Sequence, residues 1–273
     1  MPAVWVLMAA SLGTAGLGAL GGLGGAVLLV PLLVVSGMPA SQAAPLGLIS
    51  VAAGSVAAGA PQLRERTVNH RLGVTTEIAA TVGATMGALG SGLVSDDLLS
   101  QVLAAVAVVA GAAMLRPRGS GAADDERHES LTIGEWPGQI GGVAPRRGTP
   151  VAYRVRRLPT GLALMLVSGV IAGVAGAGGG FIKTPVTTGI MGIPLKVAAA
   201  TTTFTLGVTA AAVLVFFVLQ GRFHPHAAAA VIAGSLIGGY LGARLQRRTP
   251  ARLIRTGLGL ALVGIAIVLW VRV

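Results

Sequence analysis

The stretch Gly176-Ala177-Gly178-Gly179-Gly180-Phe181-Ile182-Lys183-Thr184-Pro185 decides how this chain is built. It sits inside an apolar segment, residues 158–192, that is too long for one membrane span of about 20 residues at 1.5 Å rise. Four glycines in five positions interrupt a helix, because glycine gives up the most backbone freedom on ordering and offers no side chain to pack. The segment reads as a broken hairpin, either two short spans or a re-entrant loop.

The same pattern occurs earlier, inside segment 4–37. Gly22-x-Gly24-Gly25 followed by Pro31 repeats Gly176-x-Gly178-Gly179 followed by Pro185 at the same spacing. One residue is then gained: Gly37-Met38-Pro39 with Ala43-Ala44 matches Gly192-Ile193-Pro194 with Ala198-Ala199, and Gly83 and Gly87 match Gly238 and Gly242. This order is an internal duplication. The remaining apolar segments, 41–62, 72–94, 98–115, 195–219, 227–243 and 253–271, supply three spans to each half. The expected organisation is a first transmembrane repeat over 1–115, a cytoplasmic flexible loop over 116–157 and a second transmembrane repeat over 158–273. The loop is rich in Arg, Gly, Pro and acidic residues and has no apolar periodicity.

Composition agrees. The chain is 53% hydrophobic and 11% charged, with a mean hydropathy of +0.81, whereas soluble domains carry about 25% charged residues. Forty-two glycines and only 4% aromatics suit helices packed closely in lipid. The apolar runs are continuous, which excludes the alternation of a β-barrel. The net charge of +11 is not a nucleic-acid signal, since the basic residues lie in short loops between apolar runs. There is no cysteine, so disulfides, thiol catalysis and cysteine metal sites are excluded. Met1 to Trp5 shows no basic n-region, and no cleaved signal peptide is expected.

Charge sets the expected topology. If each hairpin returns the chain to its starting side, 17 of the 20 basic residues fall on one side, Arg222 and Arg272 fall opposite, and Lys183 stays in the membrane. This obeys the positive-inside rule, and it places the N-terminus, His224 and the C-terminus outside. Each repeat then crosses an odd number of times, so the repeats are inverted. The fold class is all-α integral membrane: two inverted repeats, each a broken or re-entrant helical hairpin plus three transmembrane helices. Inverted repeats with broken helices at matching positions are the pattern of secondary transporters, with a binding site near the midplane.

The doubled pattern of Gly-x-Gly-Gly, Pro, Gly-x-Pro and a small-residue helix resembles the sulfite exporter TauE/SafE family. The second copy carries it most fully, from Gly176 to Pro185, then Gly192-Ile193-Pro194-Leu195-Lys196-Val197-Ala198 and Thr201. The first copy has Ala26 in place of the third glycine, and Pro45-Leu46-Gly47 where the second has Ala200-Thr201-Thr202. The resemblance spans both halves but not 116–157. It implies a permease for small sulfur-containing or organic anions such as sulfite or sulfonates.

Candidate substrate-binding residues are Gly22, Gly24, Gly25, Gly178, Gly179, Gly180, Lys183 and Thr201. The glycines either open the helix so that backbone N–H groups at a half-helix N-terminus face an anion, or serve as close-packing points. Lys183 is an intramembrane cation that either neutralises an anion or snorkels to the interface. Of Thr201, Thr202, Thr203 and Thr205, at most one or two can face a site, and Thr201 is the position the family supports. Glu77 is either a proton carrier or an interfacial carboxylate paired with Arg71 or solvated. His224-Pro225-His226 has the wrong spacing for a helical metal pair, and His70 reads as solvated.

The function expected is a secondary transporter of a small anion, such as sulfite or an organosulfonate, in the multi-pass setting of the cytoplasmic membrane. Its partners are that anion, the lipid bilayer and an undetermined coupling proton or cation. No nucleic acid, cofactor or metal is expected. No Walker motif, His-Glu-x-x-His or Gly-x-Ser-x-Gly occurs in the chain, so neither ATP hydrolysis nor an intramembrane enzyme is expected. A membrane scaffold or assembly factor without a substrate is the alternative.

Overall fold

The computed structural model describes residues 4–115, 133–144, 150–222 and 225–272. The first half holds α1 (Val4–Gly21), α2 (Ala26–Val35), α3 (Ala40–Arg64), α4 (His70–Gly90) and α5 (Asp96–Leu115). The second holds α6 (Leu158–Ala175), α7 (Gly180–Gly189), α8 (Leu195–Leu219), α9 (Pro225–Arg248) and α10 (Ala251–Arg272). Among the described residues, six helices are long and apolar enough to cross a membrane: α1, α3, α4, α6, α8 and α9. On α4 the residues Val74, Ile78, Val82, Met86 and Leu89 form an exposed apolar stripe, which suits a face turned to lipid.

Both long segments break at their glycine clusters. α2 and α7 are 10 residues each, about 15 Å at 1.5 Å rise, or half of a hydrocarbon core. Each hairpin therefore pairs a full-length helix with a half-helix. The second returns to its own starting end, since Arg156 N, just before α6, donates to Met191 O, just after α7, at 3.0 Å.

The hairpin helices exchange partners between halves. α1 lies along α9, and α6 lies along α4. A Cβ on Gly234, Gly238 or Gly242 would collide with the carbonyl oxygen of Met8, Leu12 or Gly16 respectively, so α1 and α9 run in the same direction. Gly83 and Gly87 meet Leu166 and Val170 in the same way, and Gly169 and Gly173 meet Ala80 and Ala84. Glycines four residues apart share a helix face and let backbones touch, the small-xxx-small device of membrane helices. α3 crosses α8, and α5 packs on α10.

Two polar clasps mark the opposite ends of the bundle. At one, Arg222 Nη2 and Nε donate to Ser41 O at 2.6 and 3.0 Å, and Asp96 Oδ1 accepts from Ser41 N at 2.7 Å. This ties the exit of the first hairpin to the α8–α9 connection and the start of α5. At the other end Asn69 caps α4 by accepting from Leu72 N at 2.9 Å, donates from its backbone N to Thr201 Oγ1 at 2.9 Å, and donates from Nδ2 to Tyr153 Oη at 3.0 Å. Burial pushes the Tyr153 hydroxyl up to about 12, against the pull of the Asn69 bond. It stays neutral at ordinary pH and accepts that bond as a phenol.

Tyr153 belongs to a feature that departs from the flexible loop expected over 116–157. Within that range β1 (Gly134–Glu135), β2 (Gly141–Ala144) and β3 (Val151–Arg154) form an antiparallel sheet in the order β1-β2-β3. Gly142 stands opposite Tyr153, and Val143 opposite Ala152. Ala144 and Tyr153 pack with Met191, Ile193 and Val197, so the sheet is held by the exit of the second hairpin. Residues 116–132 and 145–149 lie outside the described residues. His70, expected in solvent, opens α4 and pairs through Nδ1 with Glu135 Oε1 at 3.0 Å while remaining 55% exposed.

Candidate functional site

The two glycine turns meet each other in the middle of the bundle. Gly24 and Gly178 hold φ of +77° and +76°, a region that only glycine enters freely. A Cβ on Gly22 would strike Ala199, and one on Gly176 would strike Ala44. These are matching positions in the two copies, so each turn is seated on the long helix of the other half. Val51 touches the Cβ positions of both Gly24 and Gly178, and Leu206 touches those of Gly24 and Gly180. Thr184 Oγ1 donates to Gly22 O at 2.7 Å, joining the half-helix of one hairpin to the turn of the other.

The missing third glycine of the first copy has a physical account here. A Cβ on Gly180 would collide with the Leu23 carbonyl oxygen, whereas the Ala26 methyl fits beside Gly47 and Gly178. α2 and α7 both start without a side-chain cap. The first amides of a helix have no intrahelical acceptor and carry its positive dipole end. Ser168 Oγ donates to Gly179 O at 2.8 Å and fixes the second turn.

Lys183 lies one turn into α7 and is 2% exposed. Its Nζ donates to Glu77 Oε2 at 2.7 Å and to Thr209 Oγ1 at 3.2 Å. The other carboxylate oxygen of Glu77 accepts from Thr209 N at 3.1 Å and from the Thr209 hydroxyl. The placement of Glu77 beside Arg71 or in water is thus corrected: Glu77 is 5% exposed and holds the ammonium of Lys183. Nor does Lys183 snorkel. A burial this complete is sustainable for two charges only when they are paired and their remaining valences bonded, and this network does both.

The candidate residues separate into three places. Gly22, Gly24, Gly25, Gly178, Gly179 and Gly180 form the crossing. Lys183 stands beside Gly179, its Cε 3.7 Å from the position of a Cβ there. Thr201 lies toward the Asn69 clasp, its hydroxyl accepting from Asn69 N. Of the threonines in the run 201–205, Thr203 helps line a small cavity at the crossing with Gly24, Gly25, Ser50, Ser55 and Leu206. Its side chain had no signal of its own in the run 201–203, because consecutive residues on a helix point around most of the circumference. Among the described residues no group of three or more His, Cys, Asp or Glu could hold a metal ion; His224 lies outside them, and His226 stands in the first turn of α9.

The family model described as Sulfite exporter TauE/SafE matches residues 7–269. A relative from Bacillus subtilis (strain 168), described as "Probable membrane transporter protein YunE", is 23% identical over 245 residues, covering 87% of this chain and 86% of its own. No solved structure matches significantly.

Proposed function

The chain belongs to the sulfite exporter TauE/SafE family of membrane transporters, and from that premise we propose that its cargo is a small anion: sulfite, an organosulfonate or a similar sulfur-containing or organic anion. The membrane-transporter assignment is the family's. The anion is supported by one observation above the rest: two glycine turns, each opening an uncapped half-helix, cross at the centre of the bundle. Uncapped helix starts aim N–H groups and positive dipole at a ligand, which favours negative charge.

In this reading the halves are inverted repeats, the hairpins enter from opposite faces, and the crossing lies near the midplane. Gly22, Gly24, Gly25, Gly178, Gly179 and Gly180 allow the close approach of backbone to anion. Lys183 acts beside Gly179 with its charge offset by Glu77, and Thr201 links the site to the Asn69 clasp. Transport is secondary, driven by ion or substrate gradients, with one half rocking on the other. Purified protein in liposomes tests it: flux of sulfite or a sulfonate is the expected result. Liposomes that move none of these anions would refute it and favour a scaffold, and chemical conversion of the solute would favour an enzyme.

A further inference from the structure

The two glycine turns are not equivalent: a buried charged pair stands beside one, and a small uncharged cavity lies beside the other. The repeat register pairs Gly25 with Gly179, Leu29 with Lys183, Ser50 with Thr205 and Gly54 with Thr209. In the second half the Lys183 side chain passes beside Gly179, its Cε 3.7 Å from the position of a Cβ there, and its ammonium is bonded to Thr209 and Glu77. In the first half Gly54 brings no side chain to the matching place, and a cavity with room for a water-sized group remains there.

Its polar side chains are Ser50, Ser55 and Thr203; Ser55 Oγ donates to Ala52 O at 3.1 Å, so the hydroxyls left to donate are those of Ser50 and Thr203. Thr203 is 3% exposed, and its hydroxyl has no hydrogen-bond partner. A transmembrane threonine ordinarily bonds a carbonyl of its own helix, so an idle hydroxyl on this wall points to a ligand. Ser50 Oγ lies 2.7 Å from the Cβ position of Gly25 and accepts from Ser235 Oγ at 2.8 Å, which leaves its own hydrogen to donate. α2 starts just past Gly25 with no side-chain cap. No charged side chain borders the cavity.

We propose that this cavity, built from Thr203, Ser50 and the Gly24-Gly25 turn, seats the oxygens of a small oxyanion through uncharged donors, and that Lys183 and Glu77 fill the position of a second seat. The proposal rests on the anion-carrier reading above and narrows it to the Gly24-Gly25 turn and the α8 wall that faces it. Donor groups and a helix N-terminus suit an acceptor-only ligand and disfavour a cation. The cavity takes one oxygen as it stands, and Val51 and Leu206 form its apolar wall.

Thr203→Val tests it, because the volume is kept and only the hydroxyl is lost. Sulfite and methanesulfonate binding to the full-length protein in nanodiscs would be measured beside its melting temperature. Losing a hydrogen bond to a charged ligand should weaken binding by about tenfold or more. The melting temperature should hold or rise, because the hydroxyl has no partner to lose. Thr203→Ser, which keeps the donor, should bind close to wild type. Wild-type affinity in Thr203→Val, or weakening that tracks a lowered melting temperature, overturns the proposal while leaving the carrier reading intact. Wild-type protein that neither binds nor moves either anion overturns both.

Discussion

Removing one member of the Lys183–Glu77 pair should be far more damaging than removing both. The pair is at 2.7 Å, with side chains 2% and 7% exposed. Lys183→Met leaves Glu77 as a buried carboxylate with only Thr209 for company, and Glu77→Leu leaves a buried ammonium. Breaking a buried pair in this way costs about 3–5 kcal/mol, whereas exchanging the whole pair for apolar residues of similar volume is neutral to stabilising. In the double variant Thr209 can return its hydroxyl to a carbonyl of its own helix. The two single losses should therefore fail to add, with a coupling energy of at least about 3 kcal/mol between them. Reversible unfolding in mixed micelles, run on wild type, both single variants and the double, measures that term. Single variants within about 1 kcal/mol of wild type, the range of an exposed pair, would refute the buried network. So would a double variant no better than the worse single.

Gly180→Ala should lose folded protein, because its methyl meets the Leu23 carbonyl, while the matching Ala26→Gly should fold; detergent-extracted yield and melting temperature compare the two. Tyr153→Phe should cost about 1 kcal/mol, the net worth of one hydrogen bond, and should expose the 134–154 sheet to protease. The raised Tyr153 value of about 12, against 10.0 for an unburied phenol, also fixes a sign. The unfolded chain ionises first, so the Tyr153 contribution is whole below pH 10 and is lost between pH 10 and about 12. Stability profiles of wild type and Tyr153→Phe should converge over that window, and parallel profiles would contradict the assigned burial. The chain has no cysteine, so Ser95→Cys and Gln139→Cys can be labelled alone, and an impermeant reagent should reach them from opposite faces of the membrane.

Much of the architecture was legible because membrane helices are written in local terms. Length and apolarity identify a span wherever it occurs, and four glycines in five residues break a helix whatever surrounds them. The match of Gly22 to Gly176 anticipated that both turns would share one construction, and both are seated on matching alanines. What escaped was long-range or short. Glu77 and Lys183 are 106 residues apart, and nothing local marks a carboxylate two turns into α4 as the partner of an ammonium on another hairpin. The choice between Thr201 and Thr203 depends on helix rotation, which an apolar helix with almost no amphipathic face leaves unspecified. The sheet at 134–154 was hidden because strands of two to four residues are too brief for alternation to register. Its available signal was the pair of runs Gly141-Gly142-Val143-Ala144 and Val151-Ala152-Tyr153 on either side of a Pro- and Gly-containing connection.

The hook between Thr184 and Gly22 restricts how the halves can travel. A piston-like slide of one hairpin along the other would have to drag Gly180 across the Leu23 carbonyl, where there is no room even for a methyl group. If the halves rock as proposed, the crossing is the natural fulcrum. Displacement should then grow with distance from it, smallest at the glycine turns and larger at the two polar clasps, where the Arg222 and Asn69 hydrogen bonds would have to release.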